Sequence, residues 1–261
     1  MEPETFGEPV QEEAVSARNF FTRLGGVYSS PREAFTEIGR APRLVIPMIA
    51  LILISVFSSW YLTQKVDMRA VTRAQFEPLV AQGMINEEQL NQRLAQSSTN
   101  VGPLSLISAA VAVLISCLVI AGYGKLFSKI AHAENSYKNL LDVSVYAMLA
   151  VGVVSTVLTI IILQIKGSAG ITDLDSIVAS NLGSWIESAL GTDALPKFIL
   201  NLAKAVDIFS IWIIALLSIG FSAVSKKLKT SAAAAWLGGA YAILSIISAA
   251  ASTAISALTG R

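Results

Sequence analysis

Five apolar runs decide most of what this chain can become. They cover residues 44–62, 104–124, 143–165, 206–224 and 232–258, and together hold one charged side chain, Asp207. Crossing the roughly 30 Å of bilayer hydrocarbon takes about 20 apolar residues at the helical rise, so each run has the length of a membrane span. A segment alone in lipid must satisfy its own backbone hydrogen bonds, and the alternation of a barrel strand is missing, so the runs are expected to be helices. The fold class that follows is all-α: a polytopic membrane protein with five transmembrane helices in a domain over 44–258. Charged residues make up only 14% of the 261, against about 25% in a soluble domain. The deficit lies inside the runs, since the connectors carry ordinary charge. A net charge of +1 supplies no basic field for nucleic acid.

The connectors set the expected topology. Residues 1–15 hold five glutamates and no Lys or Arg, too polar to fold alone, and read as a disordered acidic tail. That start is unlike a secretory leader, so the first run is read as a retained span. Over 16–43, Phe20, Phe21, Leu24, Val27 and Tyr28 alternate with Arg18, Arg23 and Arg32, a pattern for an interfacial amphipathic segment lying on headgroups. Ser30 with Pro31 and Glu33 reads as a capping box, and Phe35 and Ile38 share one face of the helix that follows. The long loop 63–103 predicts two short helices broken near Pro78 and Gly83, the second opening at Asn86 with Gln89 as its box partner and Leu90 and Leu94 as its packing side. The other long loop, 166–205, carries a Thr172 and Asp175 box and an interfacial Trp185. With the N-terminus cytoplasmic, the inner segments hold 11 Lys and Arg and the outer ones 8. Positive charge favours the inside, giving a cytoplasmic N-terminus and an external C-terminus.

Catalysis needs a nucleophile, a base and an orienting group, or a set of metal ligands. The single histidine, His132, and the single cysteine, Cys117, assemble neither. No phosphate loop, dinucleotide fingerprint, nucleophile elbow or paired-histidine zinc helix occurs. No catalytic, cofactor-binding or metal-ligating residue is therefore assigned, and no cofactor is expected. Gly122-Tyr123-Gly124 reads as a relaxed end to the second span. The polar positions with functional potential are Asp207 and Lys204, one turn apart, with Asn201 one turn earlier. They read either as an interfacial pair anchoring a helix that starts near 193–197 with Pro196 in its first turn, or as an ion or proton site. In the fifth run Ala234, Gly238 and Ala242, and Ser248, Ser252 and Ser256, recur every fourth residue. Small residues at that spacing let helices approach closely, inside the bundle or between copies in a homo-oligomer.

Three stretches resemble the Yip1 family of integral membrane proteins in its bacterial form: residues 27–38, 124–146 and, most specifically, 206–226. The last has an Asp-x-Phe-x-x-Trp start at Asp207, Phe209 and Trp212, Gly220 near its end and a lysine-rich turn after it. The resemblance covers about 20–258. It implies a five-span fold and a bacterial cytoplasmic (inner) membrane location. Eukaryotic members bind small Rab-type GTPases and shape secretory-pathway membranes. Their Asp-Leu-Tyr-Gly motif is absent ahead of the first run, and Met148-Leu149 replaces a proline common early in the third, so the GTPase partner does not carry over. The expected function is a non-enzymatic membrane scaffold or partner-binding protein acting in membrane organisation or trafficking-like processes. Its partners would be the bilayer and proteins docking at the N-terminal segment or the turn Lys226 to Lys229. The alternative is a small transporter or channel component using the Lys204 and Asp207 region.

Overall fold

The computed structural model describes residues 19–81, 83–98, 103–168, 171, 173–174, 177–191, 195–225 and 227–258. Among the described residues eleven helices follow one another: α1 (Phe20–Ser29), α2 (Pro31–Arg40), α3 (Val45–Lys65), α4 (Met68–Ala81), α5 (Glu87–Ser98), α6 (Pro103–Ile130), α7 (Tyr137–Lys166), α8 (Leu182–Leu190), α9 (Lys197–Ala205), α10 (Ile208–Ala223) and α11 (Thr230–Leu258). Among the described residues four helices are long and apolar enough to cross a membrane: Val45–Lys65, Leu106–Ile130, Tyr137–Lys166 and Thr230–Ala254. Large apolar side chains such as Leu53, Val119, Ile161, Ile243 and Ile247 point outward along them. Such a belt is at home in hydrocarbon, where it needs no protein partner.

The fifth expected span, 206–224, differs. It is the 16-residue α10, only about 24 Å long and short of the bilayer core by itself. The cause is Asp207. Its side chain accepts from the Ser210 backbone N–H at 2.8 Å and caps α10, with extended backbone at φ −117° and ψ 139°. Residues 197–205 form the separate α9 and do not lengthen the span as expected. α10 runs along α7 from near its start towards Ser155 at its middle, which shares a cleft with Asp207 and Phe209. Ile208 N–H donates to Ser180 O in the segment that follows α7, and Gly220 lies against Val143 near the start of α7.

α7 is the central post, packed against α3, α6, α10, α2 and α1. Its Leu140, Val143, Val145, Tyr146, Leu149 and Ala150 are buried and anchor the main core. At Gly220 an added Cβ would stand 2.3 Å from Val143 Cγ1 and 3.2 Å from the Phe35 ring, so glycine permits the crossing of α10 with α7 and α2. Gly124 plays a similar part, with Phe221 ring carbon 2.6 Å from a would-be Cβ. It is not a helix end: α6 continues to Ile130. Near the α10–α11 turn, Trp236 stacks on Tyr123 and Phe127, tying α11 to α6.

The N-terminal helices also depart from expectation. Phe35 and Ile38 are wholly buried against the bundle, and Arg23, expected among headgroups, is only 1% exposed. α1 and α2 are thus docked onto α7 and α10, leaving Phe21 exposed at 78%. Ser30 is the α2 N-cap residue with Pro31 at the first position, but its side chain makes no cap hydrogen bond. Asn19 caps α1 instead, accepting from Thr22 N–H at 2.9 Å. In the first long loop Asn86 and Gln89 form the reciprocal box, at 2.7 and 3.0 Å. The expected break at Pro78 does not occur, because α4 runs through it and ends before Gly83, whose φ of +68° turns the chain. Thr172, Asp175 and the tail 1–15 lie outside the described residues.

Candidate functional site

At the start of α10, the segment after α7 meets α9, α10 and α11. The junction is built by backbone: Leu182 N–H donates to Val206 O at 2.9 Å, and Ile208 N–H to Ser180 O at 3.2 Å. Asn181 caps α8 through Ser184 N–H at 2.7 Å. Ser180 Oγ donates to Asp207 Oδ1, so both oxygens of that carboxylate are engaged. Lys204 Nζ pairs with Glu187 at 3.1 Å, and Tyr241 OH donates to Ala205 O at 2.7 Å, fastening α11 to the end of α9. Gly183 is required here, since an added Cβ would stand 2.8 Å from the Lys204 backbone nitrogen.

These elements enclose a cleft of about 660 Å³. Lys204, Asp207 and Asn201 line it from α9 and the start of α10, and Ser155 from α7. Tyr241, Leu244, Ser245, Ser248 and Ser252 line it from α11. The α11 positions follow helical spacing and form one face. Leu244 and Phe209 add apolar wall. Lys204 and Asp207 thus share a cleft, yet each has its own partner: Lys204 pairs with Glu187, and Asp207 caps α10. Asp207→Ala is expected to lower stability by about 0.5–2 kcal/mol, the range for a lost N-cap, read as a lower unfolding midpoint in detergent.

The small-residue stripes on α11 lie as follows. Ser248 and Ser252 face the cleft. Ala242 is exposed, and Gly238 has open space where a Cβ would stand. Among the described residues the buried α11 positions are Ala233, Leu237 and Ala249, one residue out of step with the Ala234, Gly238, Ala242 series. The Ser256 side chain lies outside the description. His132 is exposed in the turn after α6, at φ 49°. In the α10–α11 turn Ser225 Oγ accepts from Lys227 and Leu228 N–H, and Lys226 lies outside the described residues. Among the described residues no three His, Cys, Asp or Glu side chains gather as a metal site.

A second polar cluster, at the α1–α2 end, is not apparent from the sequence pattern. Arg23 donates through Nη1 to Ala41 O at 2.8 Å and pairs through Nε with Glu37 at 3.4 Å. Asp142, 0% exposed on α7, has neither carboxylate oxygen hydrogen-bonded. Lys138 and Arg23 are the cations that act on it. Tyr28 OH reaches Ala150 O at 2.8 Å, and burial raises its pKa. The only signal for this cluster in the sequence is a carboxylate one residue before an apolar run.

A helical bundle with an outward apolar belt and four helices long and apolar enough to cross a membrane defines a multi-pass integral membrane protein. The Yip1 domain family model matches residues 25–252. The chain therefore belongs to the Yip1 family. No curated protein and no solved structure matches it.

Proposed function

We propose that this protein is a non-enzymatic membrane scaffold that organises the bilayer around it, in the cytoplasmic membrane of a bacterium, with its N-terminus cytoplasmic and its C-terminus external. The observation that carries the reading is α10, an apolar helix of 16 residues, only about 24 Å long, packed against the spanning helices α7 and α11. A span shorter than the hydrocarbon is accommodated by local thinning of the lipid beside it. The engagement of Asp207 as a cap and of Lys204 with Glu187 supports holding a shape over conducting an ion. Residues 1–15 and the turn at Lys227 and Lys229 offer docking sites of opposite charge on the cytoplasmic side.

Reconstitution tests this reading. Liposomes carrying the protein at rising density are expected to shift in diameter by cryo-electron microscopy, without hydrolase or transferase turnover in the same vesicles. Vesicles indistinguishable from protein-free ones, or a measurable turnover, would contradict it.

A further inference from the structure

We propose that the cleft between α9, α10 and α11 binds the headgroup of a zwitterionic aminophospholipid, the phosphoethanolamine class. Three observations carry this. First, the lining is polar yet lies along a helix apolar enough to cross the membrane: Ser245, Ser248 and Ser252 open into the cleft from α11. Serine and threonine in such helices usually bond back to the carbonyl four residues earlier, as Thr253 does to Ala249 at 2.7 Å. Among the described residues none of those three serines has a hydrogen bond, and neither does the Asn201 side chain, and all four line the cleft.

Second, the lining carries both signs. Lys204 gives one of its three N–H groups to Glu187, leaving two for a phosphate. The carboxylates of Asp173 and Asp207 stand on the same cleft and make it a poor host for a purely anionic group, while favouring an ammonium. A headgroup with a phosphate and an ammonium a few bonds apart matches that arrangement. An anionic headgroup lacks the second half of the match.

Third, Leu244 and Phe209 share the wall with the polar side chains, and Ile243 and Ile247 lie exposed on α11 beside them. Acyl chains leaving the cleft would therefore meet apolar surface. This favours an intact lipid over a soluble headgroup.

Native mass spectrometry of the full-length protein in detergent tests the assignment, with phosphatidylethanolamine, phosphatidylglycerol and soluble glycerophosphoethanolamine as probes. Phosphatidylethanolamine is expected to bind about tenfold or more tightly than phosphatidylglycerol, and an equal concentration of glycerophosphoethanolamine should not displace it. Ser248→Leu/Ser252→Leu, which fills the cleft, is expected to reduce that binding at least about fivefold. Ser248→Ala/Ser252→Ala, isosteric but for the hydroxyls, should lose part of it with an unchanged unfolding midpoint. Equal or tighter binding of phosphatidylglycerol, displacement by the soluble headgroup, or full binding by both double variants would overturn the proposal. None of these results depends on vesicle shape, so the assignment stands or falls separately from the scaffold reading.

Discussion

Arg23→Met is expected to destabilise the protein by about 3–5 kcal/mol, the range for removing one member of a buried charged pair. Arg23 is held at 1% exposure between α1, α2 and the head of α7. Methionine fills much of the same volume but leaves the buried Asp142 carboxylate and the partly buried Glu37 without the guanidinium, and leaves the Ala41 carbonyl without its donor. The loss should appear as a lower unfolding midpoint in detergent, with early protease cleavage between α2 and α3. The double variant Arg23→Met/Asp142→Leu should recover much of the loss, because two apolar side chains of similar bulk restore a neutral core. Strictly additive losses would show that Arg23 and Asp142 do not act on one another.

Gly220→Val is the second large effect. Its Cβ would have to occupy space 2.3 Å from Val143 Cγ1, with the Phe35 ring 3.2 Å away. Neither neighbour is the free end of a flexible chain. Overpacking of this kind costs about 1–3 kcal/mol for small insertions, and valine adds two methyl groups beyond the first clash. Gly220→Ala meets the same contact and gains up to about 1 kcal/mol of helix propensity in return, so it should be milder. Adding Val143→Ala to Gly220→Ala should restore most of the midpoint. Gly122, on α6 with nothing within 4 Å of a would-be Cβ, is the control, and Gly122→Ala should leave the midpoint unchanged or raise it. Equal effects at Gly122 and Gly220 would show that helix propensity, not the crossing, sets the response.

Much of this architecture was legible in the residues because its determinants are local. Four of the five runs announce themselves by length and lack of charge, and the box at Asn86 and Gln89 forms as its spacing predicts. Gly220 and Asp207, both part of the segment that most resembles the Yip1 family, have distinct structural tasks: one permits a helix crossing and the other starts a helix. The misread elements depend on partners distant in the chain. Arg23 alternates with apolar residues as a headgroup arginine would, and only the docking of α1 and α2 onto α7 converts it into a core cation. Asp207 with Ser210 three residues on has the spacing of an N-cap, yet the continuous apolar run over 206–224 masks the break it makes. The cleft was half legible. Lys204 and Asp207 stand out as the polar pair beside a span, whereas the serines of α11 read equally well as packing or lining until α9 is placed against them.

The central proposal is that α10, an apolar helix shorter than the bilayer core, thins the lipid beside it at one side of the bundle. Cryo-electron microscopy of the protein in lipid nanodiscs tests it most directly, through the headgroup-to-headgroup distance mapped around the bundle. The expected result is a minimum beside α10 and the cleft, several Å below the thickness beside α3 and α6, in line with the roughly 6 Å by which α10 falls short of a 30 Å core. A uniform thickness around the whole perimeter would contradict the account.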